Sequence, residues 1–208
     1  MEQQGVLEIP GLDDQDIAIL LNARNYAYYC DMIKQIQSKK CPFCQLDPEK
    51  NRVIHTSGDW RIWECPEAFK AKHIAKHFVL APKRHITHTN CMTDKDWFHC
   101  TVLLDWATNG EIGINLPGGG IIMRFGHPDL NAQSIRHLHC NIMVPDGTGE
   151  VKITLAKDPK KVTQKRVVVL IFERLRGLGI SPNDPEIDDR AQYVLAPSEY
   201  FLVKDYLS

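Results

Sequence analysis

From His137 the chain alternates, His137-Leu138-His139-Cys140-Asn141, and then runs apolar through Ile142, Met143 and Val144. Successive side chains on a strand point to opposite faces, so the pattern predicts a strand. It would carry His137, His139 and Asn141 on one face and bury Leu138, Cys140 and Ile142 behind them. A helix advances about 100° per residue and would scatter the three polar groups. Two imidazoles and a carboxamide side by side suit a site for phosphate or metal; the plainer alternative is a solvated sheet face.

The same reading organises the rest of the chain. Asp13 or Asp14 caps a helix continuing through Ile17, Leu20, Leu21, Ala27 and Tyr28 towards Ile36, with Lys39 and Lys40 at its negative pole. Residues 52–57 and 59–65 read as short strands joined at Ser57-Gly58-Asp59, and His77–Pro82 as another. Thr93-x-x-Asp96 opens a helix in capping-box style that runs past Trp106 to Asn109-Gly110. Gly118-Gly119-Gly120 permits a turn before a strand over 121–125, and 151–155 predicts one more strand. After Pro159 a long helix carries Val162, Val167, Leu170, Ile171 and Leu175 to a stop at Gly177 and Gly179.

Composition narrows the function classes. Lys+Arg 25 against Asp+Glu 26 gives a formal charge of -1, which argues against a long nucleic acid or an anionic membrane as partner. No apolar run is long enough to span a bilayer, and the first residues lack the regions of a signal peptide. Seven scattered cysteines in 208 residues do not resemble a disulfide scaffold, and a reducing, cytoplasmic compartment is expected.

Cys41-Pro42-Phe43-Cys44 can chelate a metal through two thiolates from one turn, and zinc takes four Cys or His ligands in a tetrahedron. A redox pair would follow a strand and precede a helix; here a helix is predicted before the motif. A zinc finger places its histidines roughly 12–15 residues on, whereas His85-Ile86-Thr87-His88 lies about 40 residues away. His85 and His137 are the better candidates for the remaining ligands, with His88 as the alternative to His85.

Taken in order, Cys41-Pro-Phe-Cys44, Leu80-Ala-Pro-Lys-Arg-His85 and Gln133-Ser-Ile-Arg-His137-Leu-His139-Cys-Asn141 resemble the histidine triad superfamily. The resemblance implies an α+β fold, with about five antiparallel strands flanked by helices. Its core would span residues 40–157, between an N-terminal helical extension (1–39) and a C-terminal helix and tail (158–208). It implies a nucleotide or dinucleoside polyphosphate substrate, attacked at the α-phosphate to give a covalent nucleotidyl-histidine. Carried over by position, the nucleophile falls on His139, the phosphate contacts on Gln133 and Ser134, and structural zinc on Cys41, Cys44, His85 and His137. Arg124, on a neighbouring strand, is a candidate cation for the phosphate. Small members of the superfamily usually pair as homodimers, so the resemblance allows a homodimer here, with the extra helices as the alternative cover for that surface.

One departure stands out. The third triad position, usually His in the hydrolases and Gln in the transferases, is Asn141, which can donate hydrogen bonds but cannot supply a proton. Two readings follow: a hydrolase or nucleotidyltransferase, or a non-catalytic nucleotide-binding module stabilised by zinc. His55, His73, His77, His99 and His127 read as surface or satisfied polar residues, with His77 and His127 also considered for nucleotide contact.

Overall fold

The computed structural model describes residues 19–66, 72–109, 113–125, 132–153, 155 and 159–207, with backbone alone at 159–163. The chain divides into two compact units. One draws on Met1–Lys39, Ala132–Ile135 and Ala156–Ser208; the other comprises Lys40–Asn131 and Arg136–Leu155.

The second unit is α+β. Its strands are β1 (Val53–Ser57), β2 (Trp60–Glu64), β3 (Ile74–Pro82), β4 (Gly120–Met123) and β5 (Cys140–Pro145). They form one antiparallel sheet in the order β1-β2-β3-β5-β4. Gly58, at φ +52°, turns the β1–β2 hairpin. Gly119 lies at φ +152°, and a Cβ there would meet the Met143 carbonyl oxygen at 2.3 Å, so close pairing of β4 with β5 requires glycine.

Strand alternation gives this sheet two different faces. One carries Trp60, Ile62, Phe78, Leu80, Cys140, Ile142 and Val144, packed with Cys100, Leu103 and Ala107 of the helix α2 (Asp94–Thr108). Burying Leu80 and Leu103, both 0% exposed, contributes on the order of 2 kcal/mol each. α2 begins at a complete capping box: Asp96 N–H donates to Thr93 Oγ1, and Thr93 N–H donates back to the Asp96 carboxylate. The opposite face carries Trp63, Cys65, Val79 and Ala81, covered in part by Phe43 and Leu46. Asn141 pairs with Val79 in register and shares this second face.

The first unit is helical. A 3-10 turn (Leu20–Asn22) precedes α1 (Tyr26–Gln37), so the predicted N-terminal helix is interrupted. Asn25 causes the restart: its extended backbone ends the turn, and its side chain accepts from Tyr28 N–H at 2.9 Å as the cap. Asp13, Asp14 and Ile17 lie outside the described residues. Tyr26 and Tyr29 of α1 pack their rings against Phe172, at 5.2 and 5.5 Å between centroids. Phe172 belongs to α3 (Pro159–Gly177), which is followed by α4 (Ile187–Val194) and α5 (Pro197–Val203).

Two further expectations change. No strand forms among the described residues of 151–155, because no neighbour offers those residues a ladder of hydrogen bonds. The ladder of β5 opens at Cys140 rather than His137, and His137 and His139 occupy the bend that feeds it. The bend and the start of β5 are buried rather than solvated: His137 is 0% exposed, His139 8% and Asn141 5%. No helix among the described residues is long and apolar enough to cross a membrane.

Candidate active site and metal centre

The turn after residue 40 brings Cys41 and Cys44 together, with Cys44 N–H and Gln45 N–H both donating to the Cys41 carbonyl at 3.1 Å. Arg61, from β2, donates its guanidinium to the carbonyls of Phe43 and Cys44 and fixes the turn against the sheet. Pro82 ends β3, and His85 follows on the chain leaving it. These elements meet at His137. The ligand atoms of Cys41, Cys44, His85 and His137 all lie within 4.8 Å of one another. His88, the alternative to His85, caps a separate 3-10 turn and is outside the cluster.

The donor set fits zinc in distance as well as type. Zn–S bonds of about 2.3 Å and Zn–N bonds of about 2.0–2.1 Å at a tetrahedral centre put sulphur and nitrogen about 3.6 Å apart. The Nδ1 of His137 lies 3.4 Å from Cys41 Sγ and 3.5 Å from Cys44 Sγ, and His85 Nδ1 lies 3.4 Å from Cys44 Sγ. His137 donates its other ring N–H, at Nε2, to the Pro82 carbonyl at 2.9 Å, which leaves the Nδ1 lone pair facing the sulphurs. Burial pushes the His137 imidazole down to about 3, so the ring is neutral, the form a metal accepts. Burial also pushes the Cys41 thiol up to about 12; a bound cation would reverse this by stabilising the thiolate.

His139 stands two residues beyond His137 and is oriented by the backbone. Its Nδ1–H donates to the His137 carbonyl at 2.7 Å, which fixes the tautomer and places the ring's electron pair on Nε2. Burial lowers its pKa to about 4, with Arg124 and His77 adding to the effect, so the ring is neutral at pH 7. Phe43 meets the His139 ring edge-on, 5.0 Å between centroids, and also touches the rings of His137 and Trp63. Arg124 lies just beyond β4 and acts on His139 through its charge.

Asn141 is oriented by His77, which the sequence offered as a surface or satisfied polar residue or as a nucleotide contact. His77 Nε2–H donates to Asn141 Oδ1 at 2.9 Å, since a carboxamide oxygen can only accept. The Asn141 Nδ2 amide is then turned away, buried, and has no hydrogen-bond partner among the described residues. A buried donor left unmade costs roughly 1–3 kcal/mol, so an acceptor arriving there recovers that energy. A period-2 reading of β3 could have flagged His77, because it shares a face with Val79 and Ala81.

Gln133 and Ser134 belong to the other unit. The Gln133 carboxamide donates to the Ile135 carbonyl at 2.6 Å, and the Ser134 hydroxyl lies 3.0 Å from the Tyr28 hydroxyl. His127 lies outside the described residues.

No protein-family model matches this sequence, and no curated protein matches it. Among solved structures, the chain resembles a hypothetical histidine triad nucleotide-binding protein from Sulfolobus tokodaii, at 15% identity and a TM-score of 0.38 over 70% of this chain and 98% of that one. It resembles a zinc-bound histidine triad family protein from Mycobacterium smegmatis at 18% identity and a TM-score of 0.37, over 68% of this chain and 99% of that one. A diadenosine triphosphate hydrolase from Plasmodium falciparum matches at 14% identity and a TM-score of 0.33, over 64% of this chain and 80% of that one. Overlaps this loose say nothing about activity, which has to be read from the residues.

Proposed function

We propose that the protein is a nucleotidyl hydrolase or transferase of histidine triad type, acting at the α-phosphate of a nucleotide or dinucleoside polyphosphate. The observation that supports this is the tautomer of His139: a neutral, buried imidazole whose Nδ1–H is held by a backbone carbonyl, which puts the ring's electron pair on Nε2. In the first displacement Nε2 attacks the α-phosphorus, an N–P bond forms, and the bond to the leaving group breaks with its electron pair. In the second, water or another acceptor attacks the phosphorus and Nε2 departs. Splitting one hard substitution into two is the advantage of a covalent intermediate. Asn141 Nδ2 donates to a non-bridging oxygen as charge builds there, and His77 keeps it facing that way. Arg124 is a second candidate for that charge, and Gln133 and Ser134 are the phosphate contacts that the sequence resemblance assigns.

One zinc per chain, held by Cys41, Cys44, His85 and His137, is part of the same reading. Four protein ligands would leave no open position, so a zinc held there would order the turn and the bend beside His139 and would activate no water. A non-catalytic nucleotide-binding module is the second reading, favoured by Asn141, which holds phosphate and supplies no proton.

Rapid quenching with a dinucleoside polyphosphate, followed by mass spectrometry of the digested protein, separates the two. A nucleotidyl adduct on His139, absent in His139→Ala together with turnover, is the expected result. Binding without an adduct points to the module, and full turnover by His139→Ala refutes the mechanism.

A further inference from the structure

Three residues of the Cys–His cluster are fixed by bonds of their own. The turn bonds and the Arg61 guanidinium hold Cys41 and Cys44, and the Pro82 carbonyl takes the Nε2–H of His137. His85 differs. It is exposed where Cys41 and His137 are buried, and among the described residues its ring meets only Cys44 and the ring of His137. A metal-ligating imidazole is usually steered by a partner on its other nitrogen, so the aim of His85 depends on the backbone that carries it.

That backbone is pinned on both sides of His85, by residues of the same compact unit. Lys83 N–H donates to the Asp59 carbonyl at 2.8 Å, and Arg84 N–H to the Asp59 carboxylate at 3.3 Å. Ile86 accepts from Leu138 N–H at 2.6 Å, between His137 and His139. The Arg84 side chain supplies a third anchor. Its Nη2 donates to the Cys91 carbonyl at 3.1 Å and to the Asp96 carboxylate at the start of α2. Asp96 is 5% exposed and is itself held by Thr93 and Trp60, so the anchor point is rigid. The Arg84 side chain is half open to water, and such an ion pair adds little to stability. What it fixes is the position of the next residue, His85. We propose that Arg84 is a positioning residue for the metal centre, holding His85 within ligating range of Cys44 and His137 by tying the chain to Asp96 and Cys91. This rests on the zinc reading given above, and gives the start of α2 a part in that site.

The test compares wild type, Arg84→Met, Arg84→Lys, His85→Ala and the Arg84→Met/His85→Ala pair, all in the full chain. Zinc affinity is measured by competition with a chromogenic chelator, and the ligand shell by the absorption spectrum of the cobalt(II)-loaded proteins. Arg84→Met should bind zinc roughly tenfold more weakly, the lower end of what losing an orienting partner costs. Its cobalt spectrum should shift towards that of His85→Ala, while its circular dichroism spectrum stays that of wild type. Both side-chain bonds leave from one nitrogen, so an ammonium can make them, and Arg84→Lys should restore affinity and spectrum. In the His85→Ala background Arg84→Met should weaken zinc no further, because Arg84 acts only through that ring. Unchanged affinity in Arg84→Met, an equal loss without His85, or a Lys variant as weak as Met overturns the proposal and leaves the zinc reading standing. Loss of the folded spectrum in Arg84→Met overturns it too, since the anchor would then be structural. A wild type that takes up neither zinc nor cobalt overturns both readings.

Discussion

Replacing Asp96 with alanine tests the frame beneath the site, because α2 packs on the back of the strands that carry His77 and Asn141. The Asp96 carboxylate accepts from Thr93 N–H and Thr93 Oγ1 at 2.7 Å each, from Trp60 Nε1 at 3.2 Å, and from the Arg84 guanidinium. Its loss leaves the indole N–H of Trp60, a residue 0% exposed, without its acceptor, at a cost of about 1–3 kcal/mol. Half of the capping box disappears as well, worth about 1 kcal/mol. The Arg84 side chain is 41% exposed, so water takes over its charge and adds little. The total is about 3 kcal/mol, which in a chain of this size lowers the melting temperature by about 6–12 °C.

Asp96→Asn keeps one acceptor oxygen but turns an amide donor towards the partners of the other, and should lose about 1–3 kcal/mol at neutral pH. Burial pushes the Asp96 carboxyl up, but the bonds from Thr93, Arg84 and Trp60 outweigh it and leave its pKa at about 2. A folded pKa below the unfolded value of about 3.9 means stability that is fully present above pH 4 and lost as pH falls towards 2. The difference between wild type and Asp96→Asn should therefore shrink over that window, followed by circular dichroism melts at a series of pH values. An Asp96→Ala protein that melts within about 2 °C of wild type, or a difference that stays constant from pH 4 to 2, would refute the account.

The remaining expectations concern the site. Metal analysis of purified protein should find one zinc per chain, and Cys44→Ser should lower both metal content and melting temperature, since a closed shell contributes folding free energy directly; wild type without stoichiometric zinc would remove the metal centre. Asn141→His should raise hydrolysis of a phosphoramidate, whose amine leaves poorly without a proton, by a factor of ~10²–10⁴. Wild type should prefer dinucleoside polyphosphates, whose leaving groups carry negative charge readily. Equal rates of the two proteins on both substrates would mean Asn141 has no such role.

What the sequence could tell depended on the reach of each interaction. The Thr93–Asp96 box and the long helix after Pro159 are local patterns, and both elements form where the chain predicts them. Cys41 and Cys44 announce themselves by spacing, but their meeting with His85 and His137 is tertiary and became nameable through motif order. The His77–Asn141 bond joins strands 64 residues apart, and Tyr28–Ser134 spans 106; neither leaves a periodic trace. Local propensity misled at 151–155, where Val151, Ile153 and Leu155 alternate as a strand would, but none of the described strands pairs with them. At Asn25 the structure starts a new helix with its own cap, where the apolar pattern predicted one continuous helix from Asp13 or Asp14.

Phe43 ties two chemistries to one short piece of backbone. The turn that supplies both sulphurs also places this ring against His139, so the spacing of the Cys41–Cys44 pair and the position of the proposed nucleophile share a single mechanical adjustment. An ion with longer bonds to sulphur would spread the turn and carry the ring with it. An extra residue between the cysteines would do the same from the covalent side. If the cluster holds a metal as proposed, its selectivity can therefore be read with an organic reporter: the position of one imidazole, followed by NMR as the ion is exchanged.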